Sequence, residues 1–111
     1  MAYDEGLAER INQVLERLDP PGLVDKKMFG GIGYLVQGNM ACGILDDLLI
    51  VRVGKESYEE ALQKPGARVF DTTGRPMTGW VMVAGAAVSE DDDLTEWIQQ
   101  GVEFALTLPA K

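Results

Sequence analysis

Histidine is absent from this chain of 111 residues. With it go Ser-His and Cys-His nucleophile pairs, His-ligated zinc and acid–base catalysis by imidazole. Cysteine occurs once, as Cys42, which excludes an internal disulfide and any site built from several thiolates. Long hydrophobic runs are missing too, since no stretch approaches the ~18 apolar residues that a bilayer span needs. The N-terminal MAYDEGLAER carries acids where a secretory signal would carry positive charge and then an apolar stretch. A cytoplasmic chain without a membrane partner is the expectation. Bases are scarce, with ten Lys and Arg against eighteen Asp and Glu, for a formal charge of −8. Residues 1–25 hold six acids and two bases, and residues 89–111 hold six acids and one base. The middle is near neutral. Phosphate backbones attract clustered Lys and Arg, so this balance argues against direct nucleic-acid binding.

What is present is ordinary for a globular protein: 46% apolar and 25% charged residues, at a length suited to one hydrophobic core. Leu7, Ile11, Val14, Leu15 and Leu18 mark one face of a helix, which Asp19-Pro20-Pro21-Gly22 stops. The pattern then changes to strands over Met28–Val36, Met40–Leu45 and Leu48–Val53. Turns at Gln37-Gly38-Asn39 and Asp46-Asp47 are too short for parallel crossovers, so these strands form an antiparallel meander. A short helix over Lys55–Lys64 ends at Pro65-Gly66. Strands over Arg68–Thr72 and Gly79–Ala84 follow. Ser89 and Asp92 have the spacing of a capping box for a last helix, which carries Leu94, Trp97, Ile98, Gly101, Phe104 and Leu108 to Pro109. The expected fold is α+β, a single domain over residues 1–111 in the order α-β(3)-α-β(2)-α, its antiparallel sheet packed against helices.

Each residue type that could carry chemistry has a structural account beside it. Gly30-Gly31-Ile32-Gly33 looks like a phosphate loop, but it runs into Tyr34-Leu35-Val36 rather than into a helix. Glycines placed this way mark a bulge or a close helix approach. Glu90-Asp91-Asp92-Asp93 lacks the Gly and Glu of a calcium loop, since Glu96 and Val102 stand in their places. Those acids suit the first turn of a helix. Cys42 shares strand parity with Met40 and Ile44 and reads as a small buried hydrophobe. Adjacent Asp46 and Asp47 diverge in a tight turn. No catalytic residue, cofactor or metal ligand is assigned.

Arg52, Arg75 and Trp80 are the candidate interaction residues. Arg52 ends a strand on the face of Leu48 and Ile50, and Arg75 lies in a turn shortly before Trp80. Arg and Trp are common anchors of protein interfaces. Leu48-Leu49-Ile50-Val51 and Val81-Met82-Val83 are apolar on both faces, where a half-solvated sheet would alternate. Either helices cover both faces or a second protein surface does, and a homodimer is expected.

Lys27-Met28-Phe29-Gly30-Gly31, the Gly38-Asn39-Met40 turn, the Leu49–Val53 strand and Thr73-Gly74-Arg75-Pro76-Met77-Thr78-Gly79-Trp80-Val81 appear in order. Together they resemble the N-terminal domain of TfoX (Sxy) competence regulators over nearly the whole chain. The resemblance implies the α-β(3)-α-β(2)-α order and control of genes for DNA uptake alongside a DNA-binding transcription factor. It supplies no catalytic residues. The sequence ends at Lys111, just after the final helix, where two-domain regulators continue into a C-terminal domain. The expectation is a non-catalytic, protein-binding regulatory domain with a transcription regulator as partner. Two alternatives stay open. One is a nucleic-acid binder using Lys26, Lys27, Arg52, Arg68 and Arg75, and the other is a small-ligand protein or enzyme using Cys42, Tyr34 or carboxylates.

Overall fold

A computed structural model describes residues 3–28, 30–71 and 77–110, without the side chain of Met28. Helix α1 (Glu5–Leu18) starts at Asp4, whose carboxylate accepts the Leu7 N–H at 3.1 Å. Such a cap is worth about 1 kcal/mol. The helix ends at Asp19, which takes the left-handed conformation at φ 46° and donates its N–H to the Leu15 carbonyl. The following Pro20 disfavours the right-handed helical conformation at Asp19, so the chain leaves here.

Six strands then form one sheet: β1 (Leu23–Met28), β2 (Gly31–Val36), β3 (Asn39–Leu45), β4 (Leu48–Arg52), β5 (Ala67–Val69) and β6 (Trp80–Ala84). Every pairing is antiparallel, in the spatial order β1-β2-β3-β4-β6-β5. Helix α2 (Tyr58–Leu62) precedes β5, and a 3-10 turn over Gly85–Val88 leads from β6 to α3 (Asp91–Leu106). The α+β class and the antiparallel sheet are as expected, with one strand more than expected. That strand is β1, whose exposed Asp25, Lys26 and Lys27 give no apolar signal because β1 lies at the sheet's edge. The run expected as one strand from Met28 is therefore a hairpin, with Met28 paired to Gly31 and Gly30 at φ 78° in its turn.

The β2–β3 turn holds Gln37 at φ 53° and Gly38 at φ 83°. Two left-handed residues in a row match the twist of a two-residue hairpin. Opposite Tyr34 and Leu35 the register slips by one residue, making a bulge at Ala41. Directly paired residues share a face, so the register sorts the sheet into two sides. One side carries Tyr34, Val36, Cys42, Leu49, Val51, Val81 and Val83, which join Ile11, Leu15, Leu94 and Ile98 in a single buried core. Buried residues of α1, α2 and α3 all feed that cluster, which places the helices together as one layer. The expected Ser89–Asp92 capping box does not form. Helix α3 is capped at Glu90 without a side-chain bond, and Asp91 instead pairs with Arg10 at 3.1 Å. The same guanidinium donates to the carbonyls of Val88 and Ser89, tying α1 to the start of α3.

Gly101 lets α3 lie close on the sheet, because a Cβ there would run into the carbonyl of Ala41. The close helix approach expected at residues 30–33 is not there, since Gly31 and Gly33 share the side without helices; it occurs at Ala41, and the glycine that permits it, Gly101, belongs to the helix. Among the described residues no helix is long and apolar enough to cross a membrane.

Candidate interaction surface

The second side of the sheet carries Val24, Leu35, Met40, Gly43, Leu48, Ile50, Trp80 and Met82, none of which belongs to the helix-covered core. At its centre Ile50 is 3% exposed, flanked by partly exposed Leu48 and Met82. Met40 folds inward beside Gly43, where a Cβ would stand 3.0 Å from the Met40 methyl carbon. Val24 on β1 is 55% exposed. The strands expected to be apolar on both faces thus have helices on one face only, and their other apolar face is open.

Three charged residues occupy strand positions on this face: Lys26 on β1, Arg52 on β4 and Arg68 on β5. All three are bases. No carboxylate stands at any strand position of the face, although the chain as a whole has a charge of −8. The acids of β1 and of the helices lie elsewhere. Asp25, for example, pairs with Tyr34 on the helix side.

At the corner where β4 ends and β6 begins, Arg52 pairs directly with Trp80. The guanidinium carbon lies 5.2 Å from the Trp80 ring centroid and 5.4 Å from that of Phe104, so one cation contacts two aromatic faces. Phe70 lies 6.2 Å from Trp80 in a tilted arrangement. Phe104 belongs to the last turn of α3, which has no basic residue of its own, so Arg52 also supplies positive charge near a negative helix end. The described residues give Arg52 no carboxylate at salt-bridge distance. Around this corner opens a cleft of about 560 Å³ whose lining includes Arg52, Lys55, Ser57, Thr78, Trp80 and Phe104. Glu56 is the single carboxylate in that lining.

Two glycines shape the corner. Gly79, at φ 95°, presents a carbonyl that accepts from both Val53 and Gly54, at 2.8 and 3.1 Å. Gly54, at φ 84°, has no room for a Cβ because the Phe104 ring fills that space. The backbone turns here as side chains rarely allow.

Two of the three residues singled out in the sequence, Arg52 and Trp80, therefore meet, while Arg75 lies outside the described residues. Phe104 and Lys55 were not expected here. Phe104 reads from its spacing as one more core position of α3. The glycines at the strand ends, Gly54 and Gly79, were the available signal for a cleft.

The other candidates stay apart. Cys42 is fully buried, and burial pushes its thiol up to about 12, which denies it the thiolate a nucleophile needs. Burial also raises the Tyr34 phenol above its ordinary value, with Cys42, Asp25 and Tyr3 adding to the effect. Its hydroxyl has no hydrogen-bond partner among the described residues. Asp46 and Asp47 serve the backbone, their carbonyls accepting from Asp4 and Gly85. Among the described residues no cluster of three or more acidic, cysteine or histidine side chains could hold a metal.

Comparison with curated proteins finds no match. A family model, that of the TfoX N-terminal domain, matches residues 14–105, which spans the whole sheet, the C-terminal end of α1 and nearly all of α3. The chain belongs to the TfoX N-terminal domain family.

Proposed function

We propose that this chain is a non-catalytic regulatory domain that works by binding another protein, a DNA-binding transcription regulator, in the cytoplasm. The observation that carries the reading is the open apolar face of the sheet, cornered by Arg52 stacked on Trp80 and Phe104. An uncovered apolar surface with basic and aromatic anchors is the composition of a protein interface. Membership in the TfoX N-terminal domain family supports a role in gene control, with DNA uptake the process its resemblance points to.

The experiment places a photo-crosslinking amino acid at exposed positions on both layers of the domain, in cells, and measures transcripts with and without the chain. The reading expects a cross-link to a DNA-binding regulator and changed transcript levels. Unchanged transcripts, or turnover of a metabolite by purified protein, would sink it.

Direct nucleic-acid binding has one observation in its favour, the shared face of Lys26, Arg52 and Arg68. Against it stand the −8 charge and an aliphatic face centre, with the rings of Phe70, Trp80 and Phe104 gathered at one corner where single-strand binders spread stacking rings along the groove. Lys27, on the helix side of β1, does not join the group. A low-salt shift assay with duplex and single-stranded DNA decides it, because electrostatic affinity is greatest there.

A further inference from the structure

Granting the protein-binding reading above, the open face also says what kind of segment binds. We propose that it docks an acidic amphipathic stretch of a partner protein. Aliphatic side chains of that stretch cover the partly exposed Leu48 and Met82 on either side of the buried Ile50, while its carboxylates reach Arg52, Arg68 and Lys26.

The argument rests on charge. A chain with eighteen acids and ten bases would place acids at random on any large surface, yet the strand positions of this face carry bases only. Arg68 and Lys26 are exposed and stand on opposite sides of the apolar centre, on strands β5 and β1. The third base, Arg52, leads into the cleft that Lys55 and Glu56 also line. Carboxylates spaced along one segment complement such a rim.

The same distribution disfavours a second copy as occupant. Two open faces laid together would bring strand bases against strand bases, with no acid at a strand position of either face to pair with them, and like charges facing each other are destabilising. Nucleic acid shares the negative charge, but the rings it would stack on, Trp80 with Phe70 and Phe104, are confined to one corner, while the centre offers Leu48, Ile50 and Met82. Aliphatic and methionine side chains suit leucine-like partners. A protein segment satisfies both the rim and the centre.

Three probes test this on the intact chain by amide and indole NMR: a short peptide of Leu and Glu in amphipathic register, its Lys-for-Glu counterpart, and a thymidine oligonucleotide. Sedimentation runs alongside. The acidic peptide is expected to shift the Trp80 indole and the amides of β4 and β6, with affinity falling as salt rises. The Lys peptide is expected to leave them unmoved. The double variant Arg52→Glu, Arg68→Glu is expected to weaken the acidic peptide by roughly tenfold or more. Because Arg52 also braces Phe104, the exposed single variant Arg68→Glu, checked for an unchanged spectrum elsewhere, gives a second reading of about two- to fivefold. Equal binding of the two peptides, shifts on the helix layer instead, preferential binding of the oligonucleotide, a dimer that buries the open face, or no shift at all would overturn the proposal. In each of those cases a transcription regulator cross-linked from the helix layer would leave the regulatory reading standing. Cross-links to no regulator, with the acidic peptide still binding, would remove that reading and keep the surface.

Discussion

The two faces of the sheet are made by the same strands, often by neighbouring residues, and they end in opposite conditions. Leu49 and Val51 lie under α3 with no exposed surface, while Leu48 and Arg52, one position away, look out on the other side. Most helix-side strand residues are β-branched or small, with Tyr34 and Leu49 the larger ones, and they share one core with Ile98 under the close approach at Gly101. Open-side residues include two methionines and a tryptophan, long or flat side chains that can adapt to a visitor. The difference teaches that an apolar residue in this chain is not by itself a core residue. Its register decides.

The largest effect that would test this contrast comes from Ile98, fully buried on α3 against the sheet. Ile98→Ala should cost about 2–5 kcal/mol, read by urea denaturation, because the cavity cannot collapse under a close-packed helix. Gly101→Ala comes next, at about 1–3 kcal/mol, since a methyl group there must push α3 off the Ala41 carbonyl. A neutral result would mean that the helix layer is looser than the closed face requires.

Cys42 gives a pH test of the same face. Its thiol is held near 12 when folded against an ordinary value of 9.0. Between these values the unfolded thiol ionises while the folded one keeps its proton. The contribution is therefore fully present below pH 9 and is lost as pH rises toward 12. Cys42→Ala should flatten that decline, and a thiol reagent at pH 8 should label Cys42 only after denaturation. Rapid labelling of native protein would contradict the closed face.

Smaller effects belong to the open side. Met82→Ala should change stability by about 1 kcal/mol or less, because that side chain is partly exposed and no helix packs over it. A cost as large as that of Ile98→Ala would erase the distinction between the faces. The smallest change is expected for Tyr34→Phe, within about 0.5 kcal/mol by thermal melting, since the variant deletes a buried hydroxyl that lacks a partner among the described residues. A loss well beyond that would reveal a hidden bond.

Much of the helix side was legible in the sequence. The spacing of Leu7, Ile11, Val14 and Leu15 gave α1, and the short polar turns gave the β2–β3 and β3–β4 hairpins. Strand β1 escaped because an edge strand needs no apolar alternation, and its charges imitate a loop. The start of α3 was misread because Ser89 has the right chemistry one residue too early. At the candidate surface, Arg52 and Trp80 could be named from residue type and position. Their pairing depends on β4 meeting β6 across an intervening helix and strand, a long-range contact that no local pattern encodes. Phe104 was hidden for the same reason.

The sheet's two ends bear on how a protein can leave one side of a sheet without helices. Its outer strands are a three-residue stub, Ala67–Val69, and a ribbon studded with Asp25, Lys26 and Lys27. Neither margin offers an uncharged template on which another chain could extend the hydrogen-bond ladder. Sideways growth into fibrils is thereby disfavoured, whatever the sheet's uncovered side meets.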